Sequence, residues 1–232
     1  MVPASLVGSF AAGLPIWALT GSKRDAMNFS LSVFADTASA LIGLNLKIQG
    51  EQHLWSHRPA VFIFNHQSAV DVLITARMLR EDVIGVAKKE IKHQLPMGLA
   101  FTYTGTVFID REHGGDPRVA LKPTVDALRS GRSVVIAPEG TRSRDGTLGP
   151  FKLGAFHMAR QAGVPVVPIV IHNAQDALPY KGVVVRPAEV EVTVLPPQAT
   201  DKWKLADVEP QALRIREMYL DVLGQHKQAV SA

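Results

Sequence analysis

The chain has 232 residues, 47% of them hydrophobic and 20% charged, with no cysteine and a formal net charge of +4. That length fits one domain with a small appendage. The composition excludes a largely disordered, collagen-like or coiled-coil chain, and the missing cysteine excludes a disulfide scaffold, a thiolate metal site and a cysteine nucleophile.

The mild positive charge suits an anionic partner such as a phosphate substrate, an acidic carrier or an anionic lipid surface. It falls short of the dense basic stripe of a nucleic-acid binder, so no nucleic-acid partner is expected.

Residues 1–45 read as an N-terminal apolar helical hairpin that associates with a membrane, and residues 46–232 as an α/β domain. Ala4–Leu19 carries no charge. As a helix it spans ~24 Å, less than the ~30 Å hydrocarbon core of a bilayer, and Pro15 argues against a straight helix. Thr20–Asn28 reads as a polar turn with Lys23, Arg24 and Asp25 at its tip. A second apolar stretch, Phe29–Leu44, is interrupted by Asp36. Such a hairpin suits dipping into one leaflet or lying on the surface; packing on its own domain or on another chain is the competing reading. Met1–Ser5 lacks the Lys or Arg of a signal peptide's start. The abrupt beginning is compatible with a segment of a longer fused polypeptide.

From Leu46 onward, short β-rich runs alternate with helical stretches. Strands are expected at Leu46–Gln49, Ala60–Asn65, Val83–Ala87, Thr106–Ile109, Ser133–Ala137, Val164–Ile171 and Val190–Leu195. Helices are expected at Ala69–Arg80, Ile91–Thr104, Asp116–Ser130, Gly154–Ala162 and Glu209–Gln225. Continuous apolar runs such as AVFIF and VVPIVI need cover on both faces. The fold class is therefore α/β, with a mixed, largely parallel sheet flanked by helices. A site then belongs at the strand ends.

Four constellations carry chemistry. The segment Asn65-His66-Gln67-Ser68-Ala69-Val70-Asp71 follows a buried strand and precedes a helix. His66 in the loop and Asp71 at the helix start can meet as a base and the group that orients it; the same residues also suit a capped helix with a satisfied histidine. Gly105-Thr106-Val107-Phe108-Ile109-Asp110-Arg111 ends an apolar strand in an arginine fork suited to phosphate, or to a surface ion pair. Ala137-Pro138-Glu139-Gly140-Thr141-Arg142-Ser143 offers a tight turn, a second fork and two hydroxyls. In Val167-Pro168-Ile169-Val170-Ile171, proline within a core-like strand implies a bulge or an edge and a role in shaping one wall. Lys88 and Lys89 begin the segment after a strand and either reach an anionic substrate or stay solvated.

The blocks NHQSAVD, GTVFIDR, PEGTRS and VPIVI, in that order across residues 60–172, resemble the 1-acylglycerol-3-phosphate acyltransferase family of the glycerolipid acyltransferase group. The resemblance implies transfer of a fatty acyl group from a thioester to the free sn-2 hydroxyl of lysophosphatidate, giving phosphatidic acid. It implies His66 as general base and Asp71 as its orienting partner. Arg111 and Arg142 would hold the phosphate with Lys88 or Lys89 assisting, Glu139 and Gly140 would meet the glycerol backbone, and Thr141 would also bind the substrate. No metal and no cofactor is expected beyond acyl-CoA or acyl carrier protein as donor substrate. The expected partners are the lysophospholipid, that donor and a membrane surface, with the protein held peripherally or monotopically on the cytoplasmic face of the cell membrane.

Three alternatives stay open at this level, one of them a non-catalytic fold kept as a membrane or interaction module, which would be expected to have lost the His or the Asp. The same chemistry could serve another acceptor: glycerol-3-phosphate, another lysophospholipid or a glycolipid. A lipid or thioester hydrolase would use Ser68 or water as nucleophile. No Gly-x-Ser-x-Gly elbow is present.

Overall fold

A strand with every side chain buried can only lie inside a covered sheet, and Val61–Phe64 is such a strand. The computed structural model describes residues 2–95, 97–109 and 117–225 and sets this strand in the interior of a seven-stranded sheet. The strands are β1 (Leu44–Gln49), β2 (Val61–Phe64), β3 (Val83–Lys88), β4 (Val107–Ile109), β5 (Ser133–Ile136), β6 (Val166–Ile171) and β7 (Ala188–Val194), ordered β1-β7-β6-β2-β5-β3-β4. Neighbours run parallel except β6 and β7, which are antiparallel. This is the mixed, largely parallel α/β sheet expected from the alternation of strands and helices.

The helices are α1 (Val2–Thr20), α2 (Lys23–Ile42), α3 (Asp71–Leu79), α4 (Met97–Tyr103), α5 (Pro117–Arg129), α6 (Gly154–Ala162), α7 (Ala174–Ala177) and α8 (Val208–Leu223). Two apolar cores cover the sheet. Val61 and Ile63 of β2 pack with Leu121, Val125 and Leu128 of α5 and with Ile215 and Tyr219 of α8. Phe62 and Phe64 point the other way, into a core with Ile74 and Met78 of α3. That alternation follows from the two-residue period of a strand, and the spacing on α5 from the helical period.

Pro15 lies inside α1, which continues to Thr20. Proline removes one helical hydrogen bond, and packing along α2 offsets the loss. Gly13 permits that packing, because a Cβ there would come within 2.7 Å of the Ala26 carbonyl oxygen. The charged stretch differs from the polar turn expected of it. Only Gly21 and Ser22 connect the helices, and the Ser22 hydroxyl accepts the Asp25 N–H at 3.1 Å, so Lys23, Arg24 and Asp25 form the first turn of α2. Among the described residues, no helix is long and apolar enough to cross a membrane.

Polar contacts tie α2 to the sheet domain. Arg24 pairs with Asp82, Asn28 exchanges hydrogen bonds with Asp82 at 2.9 and 3.0 Å, and Arg80 reaches Asp36 at 2.9 Å. The Arg24 guanidinium holds the Asp82 carboxyl below the usual range.

One further expectation changes. The helix expected over Ile91–Thr104 divides into a 3₁₀ turn, Lys89–His93, and α4; Pro96 lies outside the described residues. Of the two positions expected for Pro168, it occupies the bulge and not an edge, since β6 lies between β7 and β2. Ile169 pairs with Val194 while Val166 bridges Gln198, so residues 195–197 oppose only 167 and 168. The Pro168 carbonyl accepts the Leu195 N–H at 2.9 Å, and the N–H that proline lacks falls on this irregular side.

Candidate active site

The parallel strands β2, β5, β3 and β4 place their C-terminal ends along one edge of the sheet. His66 follows β2, Glu139 follows β5, and Lys88 ends β3 opposite Ile109 of β4. Arg111 lies outside the described residues.

His66 and Asp71 meet. The imidazole Nδ1 lies 2.7 Å from Asp71 Oδ2. That oxygen also accepts the backbone N–H groups of Gln67 and Ser68, at 2.7 and 2.8 Å. Asp71 is fully buried and opens α3, where a negative charge is favoured by the helix dipole. Its second oxygen has no hydrogen-bond partner. The ring of His66 stays partly exposed, at 21%, and contacts the Phe64 ring edge-on at 5.6 Å between centroids. With Nδ1 donating to the carboxylate, Nε2 is the nitrogen left to accept a proton.

The segment after β5 grips the backbone of His66 on both sides. Glu139 Oε1 accepts the His66 N–H at 2.8 Å, and the Ser143 N–H donates to the His66 carbonyl at 2.7 Å. The other oxygen of Glu139 accepts the Gly149 N–H at 2.9 Å. Burial raises the carboxyl's pKa, and the two N–H donors work against that rise. The expected contact between Glu139 and a glycerol backbone is therefore not what this geometry offers: the side chain is buried and each oxygen already holds a loop. Gly140, at φ +74°, makes the turn that the left-handed region allows only cheaply to glycine. Thr141 and Arg142 follow it and are exposed. The Arg142 guanidinium lies 5.6 Å from the centre of the Tyr180 ring. Lys88 and Lys89 are exposed at the end of β3.

Ser68 is buried, and its hydroxyl donates to the Leu178 carbonyl at 2.6 Å while accepting the Val70 N–H at 3.3 Å. A hydroxyl committed in this way is not a presented nucleophile. Among the described residues no group of three or more His, Asp or Glu could hold a metal ion.

Residues 45–172 match the family described as Acyltransferase. The chain is 34% identical over 213 residues to the 1-acyl-sn-glycerol-3-phosphate acyltransferase alpha of Ovis aries, covering 91% of this chain and 74% of that protein. The Homo sapiens protein of the same name is also 34% identical, with 91% and 75% covered. The chain belongs to the 1-acyl-sn-glycerol-3-phosphate acyltransferase family.

The crystal structure of PlsC, the 1-acyl-sn-glycerophosphate acyltransferase of Thermotoga maritima, has the same fold: TM-score 0.73, 20% identity, 93% of this chain and 89% of that one covered.

Asn65 belongs to the motif after β2 but has a structural role there, whereas Tyr219, Arg216 and an apolar cavity of this acyltransferase carry no motif signal. The side chain of Asn65 exchanges hydrogen bonds with the backbone of Ile171, at 2.8 and 2.7 Å, and so continues the β2–β6 ladder past the end of β2. The Tyr219 hydroxyl from α8 stands inside that ladder: it donates to the Ile63 carbonyl at 2.7 Å and accepts the Ile169 N–H at 3.1 Å. Burial pushes its phenol well above the ordinary tyrosine range, so it keeps its proton. Arg216, also on α8, donates to the carbonyls of Gly149 and Leu148 at 3.0 and 3.1 Å, bracing the loop that Glu139 holds. An apolar cavity of about 410 Å³ adjoins the His66 loop, walled by Ala69, Val70 and Leu73 on one side and by Phe34 of α2 and Phe101 of α4 on another.

Proposed function

We propose that this chain transfers a fatty acyl group from an acyl thioester to the sn-2 hydroxyl of a 1-acylglycerol-3-phosphate, giving phosphatidic acid and free thiol. The observation that carries this reading is the 2.7 Å contact between His66 and the buried Asp71, at the end of β2.

His66 Nε2 takes the proton of the acceptor hydroxyl as its oxygen attacks the thioester carbonyl. Asp71 steadies the imidazolium that forms, in the manner of a serine-protease triad whose serine is replaced by the substrate. Collapse of the tetrahedral intermediate breaks the C–S bond, and the departing thiolate takes the proton back from His66. No covalent acyl-enzyme is needed, in keeping with the buried Ser68 hydroxyl. Arg142 and Arg111 hold the phosphate with Lys88 or Lys89, and Gly140 and Thr141 face the glycerol. Glu139 acts at one remove, by fixing the His66 backbone. Fixed placement of this kind is worth about 7–11 kcal/mol of barrier.

The apolar cavity receives an acyl chain; its volume falls within the ~300–1,000 Å³ range of small-molecule sites. The α1–α2 hairpin rests on a bilayer surface with exposed Leu14, Trp17, Leu19 and Phe29. CoA or acyl carrier protein delivers the donor, on the cytoplasmic face of the membrane.

The test is a transfer assay with purified protein and acyl-CoA, offering lysophosphatidate, glycerol-3-phosphate and other lysophospholipids side by side. Turnover of lysophosphatidate is expected. Turnover of another acceptor alone would overturn the substrate assignment, and acid release independent of acceptor would overturn the reaction.

A further inference from the structure

Residues 178–187, between α7 and β7, form an ordered loop with an unusual tip. The Gly182 N–H donates to the Pro179 carbonyl at 2.8 Å, and the Arg186 N–H closes the base on the Ala177 carbonyl at 2.8 Å. Within this frame Val183 is 93% and Val184 67% exposed. Two neighbouring valines held outward by a hydrogen-bonded frame have no packing role in the chain itself. Lys181 and Arg186 flank them and are exposed.

The position of the loop gives the tip meaning. Leu178 and Val185, at its two ends, help to wall the apolar cavity. Leu178 also receives the Ser68 hydroxyl, so the loop is fastened to the segment that carries His66 and Asp71. Tyr180 lies under the Arg142 guanidinium. Pro187 packs against Gly43, at the C-terminal end of α2, so closely that a Cβ at Gly43 would fall 2.8 Å from its Cβ. One loop thus borders the cavity, an arginine proposed to hold phosphate and the end of the hairpin.

We propose that the 178–187 loop is a membrane contact separate from the hairpin, its Val183–Val184 tip entering the interface of an anionic bilayer beside the acyl cavity. An apolar tip between two cations matches the layering of such a surface, with anionic headgroups over an apolar interior. The cations pair with headgroups while the valines reach the acyl boundary. A lysophospholipid leaving the bilayer here moves its chain along Val185 and Leu178 and brings its phosphate towards Arg142. This function of the loop rests on the acceptor being a bilayer lipid, whereas its insertion is tested without any turnover.

The chain has no cysteine, so Val183→Cys supplies a single thiol for a nitroxide label; Glu209→Cys, exposed at the start of α8, is the control. With phosphatidylcholine–phosphatidylglycerol vesicles, the label at 183 is expected to lose access to a water-soluble nickel relaxer and gain access to oxygen, while the label at 209 keeps its aqueous behaviour. Equal aqueous access at both sites in the presence of vesicles would overturn the proposal. So would shielding at 183 that grows with protein concentration without lipid, which would assign the tip to a second copy of the chain. In the double variant Val183→Ser/Val184→Ser, transfer to lysophosphatidate embedded in vesicles is expected to fall about tenfold. Transfer to a short-chain, monomeric lysophosphatidate is expected to stay at the unsubstituted level. Failure of the reaction assignment would remove transfer in both formats and leave the nitroxide result standing. Equal loss in both formats from an otherwise active enzyme would reject an interfacial role.

Discussion

The carboxylate of Glu139 grips His66 by its backbone N–H, at 2.8 Å, and leaves the imidazole to Asp71. Two carboxylates therefore divide the work on one histidine: one sets where the residue stands, the other orients its ring. Because the first also holds the Gly149 N–H, one buried side chain both folds the loop after β5 and fastens it to the loop after β2.

Glu139→Gln separates these roles. Glutamine has one acceptor oxygen for two N–H donors, so one donor must face an NH₂ group. We predict a loss of kcat of about 10–100-fold, corresponding to the ~1–3 kcal/mol of a buried hydrogen bond left unmade, with a smaller change in KM for lysophosphatidate. The variant also changes pH behaviour. Burial raises the carboxyl's pKa in the folded state, so the folded chain binds this proton more tightly than the unfolded chain. Its contribution to stability then declines as pH rises from the ordinary glutamate range through the raised value. Chemical denaturation at a series of pH values should show that slope flattened in Glu139→Gln.

His66→Ala removes the proposed base and Asp71→Asn the charge proposed to steady it. Both are expected to lower kcat by about 10²–10⁴-fold. Circular dichroism should show His66→Ala folded, since its ring is partly exposed and its backbone partners remain. Substantial transfer by purified His66→Ala would reject this histidine as the base.

Tyr219→Phe deletes only a hydroxyl but leaves the Ile63 carbonyl and the Ile169 N–H facing each other across a widened gap. We expect a loss of about 1–3 kcal/mol for each buried group left unpaired. The midpoint of urea unfolding would fall with little change in slope. An unchanged midpoint would mean that β2 and β6 close the gap by themselves.

The contact of α2 with Asp82 is acid-sensitive. Arg24 depresses the Asp82 carboxyl, so its stabilising contribution is present above the ordinary aspartate range and is lost as pH falls through the lower folded value. Limited proteolysis should cut the Gly21–Ser22 connection faster in Asp82→Asn than in the unsubstituted protein at neutral pH. At acid pH the two should converge.

Filling the apolar cavity should change which acyl chains are used. Ala76 lines it from α3, and Ala76→Phe is expected to shift the preference towards shorter chains in a competition among acyl-CoA lengths. Glycerol-3-phosphate offered in place of an acylated acceptor would gain in relative rate if the cavity holds the acceptor's chain, and would not if it holds the donor's.

Much of this arrangement was legible in the sequence because the informative contacts are local. His66 and Asp71 are five residues apart, and a strand followed by a helix turn brings them together. The apolar runs of β2 and β6 announce a covered sheet, which in turn places the motif ends along one edge. Less legible were features that depend on partners far along the chain. The two donors to Glu139 come from His66, remote in sequence, and from Gly149 in the following loop. Tyr219 reads as one more apolar position on α8. The charged turn is less legible for a related reason: charge describes an isolated segment, while the start of α2 is set by the Ser22 cap and the hairpin's packing at Gly13.

Tyr219 belongs to a helix that is translated after every recognisable motif. During vectorial synthesis the ribosome releases β2, β5 and β6 first, with the opening between Ile63 and Ile169 still unoccupied. The hydrogen bonds from the phenol to Ile63 and Ile169 can form only once α8 has been made. A nascent chain stalled before that point would carry every signature of the enzyme and still lack the peg that sets its two central strands apart.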